Sequence, residues 1–405
     1  MIQILFVDDE KKILEGLRRL LYPLRTKWKM HFALSGEEAL QVLEKNHIEV
    51  VVTDMKMPGM DGAELLQRVK TLYPDTIRII LSGYSEQDMV IRALGSTHIY
   101  LSKPTSREAI TKSISRTIHL RELLQKIELT SLVSRMDTLP SHPMLYEQLL
   151  DLLRHDDYTL QAAVNIIRQD AGMTAKVLQL VNSAFFGLPR QVSDPALAVN
   201  LLGMDVLIAL VMQSHIFSEF DEKVFKDISF DQFWMHCQTT ALIAKSLAEH
   251  QGLSKREIDD SFAAGLLHDS GKIILMGNAQ EKYRKVRQFM VEYGYDVISA
   301  EREVFGTSHS EVGAYLLGIW GLPTAVVEAV AYHHHPEYHD VHNAPTASMT
   351  YLANRVERVF REHNEESLHD LLEDEEISKF DLKFDLKDFI PEVQEKYHLQ
   401  GATHE

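Results

Sequence analysis

The sequence is almost without cysteine: Cys237 is the single thiol in 405 residues. That excludes a disulfide framework and any multi-cysteine zinc or iron–sulfur site, and it fits a reducing compartment. Long apolar runs are missing as well. The longest, Ala196 to Met212, is interrupted by Asn200 and Asp205 and reads as a core helix, not a membrane span. Met1-Ile2-Gln3-Ile4 enters a strand-like run without the basic and apolar regions of a signal peptide, so the expected location is cytoplasmic, with no membrane partner. Basic charge is scarce where nucleic acid would need it. Residues 1–120 carry 17 Lys and Arg against 15 Asp and Glu, a net of +2, whereas residues 121–405 carry 25 against 44, a net of −19. Nucleic-acid affinity comes from neutralising phosphates with Lys and Arg, so the second part is not expected to bind DNA directly.

What is present is ordinary for globular domains: 45 % hydrophobic and 25 % charged residues, in a length that suits two or three domains. The first 120 residues alternate short apolar runs (Ile2–Val7, Glu49–Thr53, Ile77–Leu81, Ile99–Leu101) with amphipathic segments such as Lys12–Leu21. That texture predicts a doubly wound α/β domain with a parallel sheet and its site at the carboxyl ends of the strands. From about Thr105 helical periodicity takes over. Thr105–Ser131 reads as a helix, or a helix plus linker, coupling the two parts. Leu139-Pro140-Ser141-His142-Pro143 starts the second domain, Gly318–Pro323 and Pro336–Pro345 are turns, and acidic Glu362–Glu376 reads as a loop or frayed helix.

Polar residues end each strand-like run of the first domain. Asp8 and Asp9 follow the first, Asp54 ends the second, Ser82 follows the third and Lys103 the fourth. Such groups converge on one crevice, where two or three carboxylates suit a hard divalent cation such as Mg²⁺. A phosphoryl group on Asp54 would be neutralised by the metal and Lys103 and would accept from the Ser82 hydroxyl. With Val51-Val52-Thr53-Asp54-Met55-Lys56-Met57-Pro58-Gly59 and Leu101-Ser102-Lys103-Pro104, the segment resembles a two-component receiver domain. The resemblance implies a five-stranded, flavodoxin-like sheet and phosphorylation of Asp54 by a histidine kinase. It further implies Mg²⁺ on Asp8, Asp9, Asp54 and the Lys56 carbonyl, a switch made of Ser82 and Tyr100, and a cis Lys103–Pro104 bond.

Histidine is concentrated in the second part, with 16 of 20 beyond residue 120. In Ala263-Ala264-Gly265-Leu266-Leu267-His268-Asp269 an apolar helix delivers an imidazole and a carboxylate into the interior, where charge needs a partner or a metal. Together with His236, His309, His333 and His334, these residues leave two arrangements open: a buried hydrogen-bond network, or a site for Fe, Mn, Zn or Ni. Ile167-Arg168-Gln169-Asp170, Leu180-Val181-Asn182-Ser183-Ala184, Gly306-Thr307-Ser308-His309, Trp320-Gly321-Leu322-Pro323 and Tyr332-His333-His334-His335-Pro336 make this part similar to the HDOD output domain of the HD phosphohydrolase superfamily. Carried over from catalytic HD relatives, His236, His268, Asp269 and His309 would ligate one metal, His333 and His334 a second, and Lys272 would meet substrate phosphate. Two departures count against hydrolysis. An uncharged Asn354 stands where those relatives have an acid, and no Gly-Tyr-Pro follows the paired histidines.

The expected organisation is a receiver over 1–120, a helical linker over 121–138, an all-α HDOD domain over 139–360 and an acidic extension over 361–405. The favoured function is a response regulator in which Asp54 controls an output domain that binds protein partners, with a homodimer in view. The alternative is a metal-dependent phosphohydrolase acting on a cyclic dinucleotide or another phosphoester.

Overall fold

The computed structural model describes residues 1–82, 93, 96–103, 107–108, 110–111, 113–115, 118, 133, 136, 139–154, 159–182, 188, 191–203, 206–208, 211, 218–219, 229–336, 344–362 and 365–397, with backbone alone at 82, 102, 218–219 and 365–366. The expected Thr105–Ser131 helix lies largely outside these residues, as do Pro104, where a cis bond is expected, and most of the Pro336–Pro345 turn.

The first domain runs β1 (Ile2–Val7), α1 (Lys11–Leu21), β2 (Trp28–Ala33), α2 (Gly36–Lys45), β3 (Val50–Asp54), α3 (Gly62–Leu72), β4 (Ile77–Ser82) and β5 (Ile99–Ser102). The strands form one parallel sheet in the order β2-β1-β3-β4-β5. Period-two alternation serves both faces, because helices cover both. Leu5, Val7 and Val51 bury with Leu43, Leu66 and Val69, while Ile4, Phe6, Val50 and Val52 bury with Leu14, Leu21, Ile110 and Ile114. Ser35 and Asp61 cap α2 and α3, their side-chain oxygens accepting from the backbone N–H groups of Glu38 and Glu64. The order reverses between β1 and β3, so the Asp8 and Asp54 ends flank the crevice that such reversals create.

The second domain is helical. Its longest helix among the described residues, Phe230–His250, packs against Lys255–Leu267 and Pro345–Glu362. Capping boxes start Lys255–Leu267 (Ser254 with Glu257) and His309–Ile319 (Ser308 with Glu311), which fixes where the histidine-bearing helices begin. Buried Asp170 knots the N-terminal helices to this core. It accepts from the backbone N–H of His142 (2.7 Å) and Met173 (2.6 Å) and from Trp234 Nε1 (3.0 Å). Asn182 closes its helix and clamps Val192, donating to its carbonyl and accepting from its N–H at 2.7 and 2.6 Å. Among the described residues no helix is long and apolar enough to cross a membrane.

The acidic C-terminal stretch differs from the expectation of a loop or frayed helix. Glu365–Leu372, Glu375–Ser378 and Leu386–Lys396 are helical, because apolar residues recur within the charge run. Leu371, Ile377, Phe389, Ile390 and Val393 bury against Leu247, Leu352, Val356 and Phe360. Asp374 pins the segment in place, accepting from the Tyr351 hydroxyl (2.9 Å) and pairing with Arg355 (3.3 Å).

Close backbone approach sets the position of the helices that carry the histidines. Gly271 begins the Ser270–Asn278 helix so near His309–Ile319 that a Cβ there would lie 1.9 Å from the His309 carbonyl oxygen. Gly271→Ala is therefore expected to destabilise the domain by about 1–3 kcal/mol or more. Urea unfolding of both proteins measures it, and an unchanged midpoint contradicts the tight crossing.

Candidate functional sites

In the first domain, Asp8 leaves β1, Asp54 closes β3 and Lys103 follows β5, so the parallel sheet brings all three to one end. Lys103 Nζ lies 2.6 Å from Asp54 Oδ1 and 3.0 Å from Asp8 Oδ2. The buried Asp8 is oriented by the Glu10 backbone N–H, which donates to Oδ1 at 2.9 Å. The more exposed Asp9 joins them, and one oxygen from each of Asp8, Asp9 and Asp54 falls within 4.8 Å of the others. Three carboxylates thus face one ammonium, and an all-oxygen cluster of that charge suits a hard divalent cation. Burial, with Asp8 beside it, pushes the Asp54 carboxyl above its ordinary value against the pull of Lys103. Burial would lower Lys103, but Asp54 and Asp8 outweigh it and hold the ammonium above its usual value. Exposed Lys56 lies two residues past Asp54, and Tyr100 is buried in β5. Ser82 ends β4 opposite Ser102 of β5 through the backbone; its side chain is outside the described residues.

The second site gathers around Asp269, which is 1 % exposed. Asp269 Oδ2 accepts from Lys272 Nζ at 2.7 Å and faces His236 and His268 Nε2 at 3.4 and 3.5 Å. Oδ1 lies 3.2 Å from His309 Nε2 and 3.5 Å from His333 Nε2. The imidazoles form two like pairs, with Nε2 atoms 3.0 Å apart in His236–His268 and 3.2 Å apart in His309–His333. His268 Nδ1 is 2.7 Å from the Gly265 carbonyl and His333 Nδ1 2.7 Å from the Val330 carbonyl. A carbonyl only accepts, so each Nδ1 carries the hydrogen and each neutral ring presents a bare Nε2.

Burial holds His268 and His334 well below the usual imidazole value and lowers His333 as well. Against the same burial, Asp269 and Glu357 raise His236, and Glu301 and Asp269 raise His309. Burial alone would raise Asp269, yet Lys272 and the imidazoles keep it well below the usual carboxylate range.

Buried atoms in this cluster, Asp269 Oδ1, His334 Nε2 and His236 Nδ1 with its neighbour Glu357 Oε2 among them, have no hydrogen-bond partner among the described residues. Leaving such atoms unpaired is costly unless a cation meets them. Ligand atoms of Asp269, His309, His333 and His334 come within 4.8 Å of one another, as do those of His236, His268 and Asp269, so Asp269 is shared between two clusters. The imidazole–carboxylate donor set fits Fe, Mn, Zn or Ni. Lys272 stands on the rim of a cavity of about 460 Å³, whose walls include Phe233, Met276, Met290, Arg287 and Arg361 and whose floor is Asp269 and His236.

The sequence-predicted residues therefore meet, apart from Asn354, which is half-buried on the Pro345–Glu362 helix and makes no described contact with the cluster. One turn further on, Glu357 Oε2 lies 2.7 Å from His236 Nδ1, although the two atoms are not aligned as a hydrogen bond. Glu301 was also missed. Its Oε2 lies 2.7 Å from His309 Nδ1. Each is a carboxylate on the apolar stripe of its helix, Glu301 between Ile298 and Phe305 and Glu357 between Ala353 and Phe360. A charge at a core position is the signal that could have found them.

The family described as "HDOD domain" matches residues 139–336, and that described as "Response regulator receiver domain" matches residues 4–115. Sporulation initiation phosphotransferase F of Bacillus subtilis (strain 168) is 34 % identical over 124 residues, 29 % of this chain and 95 % of that protein. An uncharacterized protein of Treponema pallidum (strain Nichols) is 26 % identical over 254 residues, 61 % of this chain and 48 % of its own length. The chain spans about half or less of the curated relatives first matched. Among solved structures, a virulence factor from Campylobacter jejuni subsp. jejuni shares the fold, with a TM-score of 0.51 at 19 % identity over 72 % of this chain and 98 % of that one.

The raised Asp54 carboxyl gives a sign-definite expectation. The folded state holds the Asp54 proton more tightly than the unfolded state, so ionising Asp54 costs stability as pH rises through its folded value. Asp54→Asn is expected to be more stable than the parent at pH 7, with a gain that shrinks as the pH falls toward the ordinary value of 3.8. Urea titrations across that range measure it, and a variant less stable at pH 7 contradicts it.

Proposed function

Because this protein is a response regulator that joins a receiver domain to an HDOD domain, we propose that Asp54 is its phosphoacceptor and that the phosphoryl group governs what the helical domain binds. An Asp54 carboxylate oxygen attacks the phosphorus of a phosphohistidine on the partner kinase. The P–N bond breaks and an acyl phosphate forms. Asp8, Asp9, Asp54 and the Lys56 carbonyl would hold Mg²⁺, which supplies positive charge to the phosphoryl oxygens. Lys103 lies against Asp54 Oδ1 and keeps a second contact to Asp8, so its ammonium is in place to accept the added negative charge. That doubly paired lysine is the observation that carries the reading.

Ser82 and Tyr100 then act as the switch, shifting an equilibrium between two receiver states. The segment from Thr105 to Ser131 relays the shift. The domains are taken as 1–120, 121–138, 139–360 and 361–405, in a cytoplasmic protein whose output domain contacts protein partners, DNA being disfavoured by the net charge of −19 over residues 121–405. A homodimer is one form the switch can take. Acetyl phosphate is expected to change the sedimentation or small-angle scattering of the parent and to leave Asp54→Ala unchanged. An Ala variant that responds like the parent overturns the reading.

A second reading has its own support in the unpaired Asp269 Oδ1 and His334 Nε2. In it, Asp269, His309, His333 and His334 hold one Fe, Mn, Zn or Ni ion, and His236, His268 and Asp269 hold another. The ions would polarise a phosphoester, a cyclic dinucleotide being one candidate, and Lys272 would meet its phosphate. Asn354 leaves this site less anionic than an acid would, and Glu357 beside His236 restores a carboxylate. Elemental analysis of the purified protein and phosphodiester turnover with added Mn²⁺ or Fe²⁺ separate the readings. Bound metal with turnover lost in His268→Ala favours the enzyme; no bound metal and no turnover leave the binding platform alone.

A further inference from the structure

We propose that Glu301 is the positioning residue for the cation on the His309 side of the Asp269 cluster, a role that rests on the metal-binding reading above. Glu301 is fully buried on the Val297–Phe305 helix, where an isolated carboxylate would be costly. It is not isolated. Oε2 accepts from the backbone N–H of His309 at 2.7 Å and lies 2.7 Å from His309 Nδ1, so one oxygen fixes both the main chain and the ring of the same residue. The other oxygen, Oε1, accepts from the Tyr283 hydroxyl at 3.4 Å. With both oxygens engaged behind His309, Glu301 acts through that ring instead of touching an ion.

The consequence follows from the two faces of an imidazole. A carboxylate takes the Nδ1 hydrogen, so Nε2 is the atom left for a metal, and it points at Asp269 Oδ1 (3.2 Å) and toward His333 Nε2 (3.2 Å). A carboxylate behind a histidine makes the far nitrogen a stronger donor than a backbone carbonyl does. His268 and His333 have only carbonyls behind them, and the Glu357 contact to His236 is unaligned. His309 is thus the best-backed donor of the four, and its side of the cluster is the tighter of the two cation positions. Tyr283 also lines the cavity above Asp269, so the same chain of contacts links the cavity wall to that ion.

Calorimetric titration of the 405-residue chain with Mn²⁺ tests this. The parent is expected to take up three ions per chain, one at the Asp8, Asp9 and Asp54 carboxylates and two at the Asp269 cluster. Glu301→Gln, which keeps an oxygen to accept from His309, is expected to lose roughly 10- to 100-fold in affinity at one position only. The metal-free melting temperature of the variant should stay near that of the parent. Parental affinity at both positions of the Asp269 cluster in Glu301→Gln overturns the role of Glu301, as does equal weakening of both with a lowered melting temperature. A parent that binds no ion beyond the one at the receiver carboxylates instead sinks the metal reading. Should the variant not fold, ¹⁵N-histidine spectra of the parent with Zn²⁺ decide. His309 is expected to carry its hydrogen on Nδ1 with Nε2 on the ion, and the reverse tautomer overturns the proposal.

Discussion

A carboxylate that folding removes from water must be met by positive charge, and Asp269 obeys this in the helical domain more completely than any other described residue. At 1 % exposure it meets Lys272, His236 and His268 with Oδ2 and His309 and His333 with Oδ1. The helices do not place these groups independently. Gly271 lets two of them touch, and Ser308 with Glu311 decides where His309 begins its helix. The receiver solves the same problem more simply: Lys103 lies between Asp8 and Asp54 at the strand ends.

The two solutions differ in how they use solvent, and this bears on what each can do. Lys103 keeps 28 % of its side chain exposed and Asp54 keeps 13 %, so a large phosphodonor can approach. His268, His309 and His333 are closed off, while Asp269 lines a cavity together with Lys272, Arg287 and Arg361. The first site suits exchange of a group with another protein. The second suits a small anion that reaches an enclosed centre.

Much of this was legible in the sequence because it depends on local rules. Apolar β-branched runs read as buried strands, and the residues ending them fell at one sheet edge because parallel strands all end on the same side. The edge strand β2 was harder, since its exposed or half-buried Lys29, Met30 and His31 break the apolar run. The histidine cluster could be assembled from the resemblance to HD relatives, but the carboxylates behind it could not. Glu301 and Glu357 belong to no spacing pattern shared with His309 or His236; only the crossing of helices brings them there. The C-terminal stretch misled for a related reason. Its charge dominates the composition, while its fold is decided by a few apolar side chains that find the Phe230–His250 and Pro345–Glu362 helices.

That last contact changes what counts as the helical domain. The family match ends at residue 336, yet the helix bearing Glu357 and Arg361 lies beyond it, braced on its far side by Asp374 through Tyr351 and Arg355. A fragment trimmed to the recognised boundary would keep every histidine of the cluster. It would also lose one wall of the chamber and the acid at His236, so ligand studies on such a fragment would describe a different molecule from the whole chain.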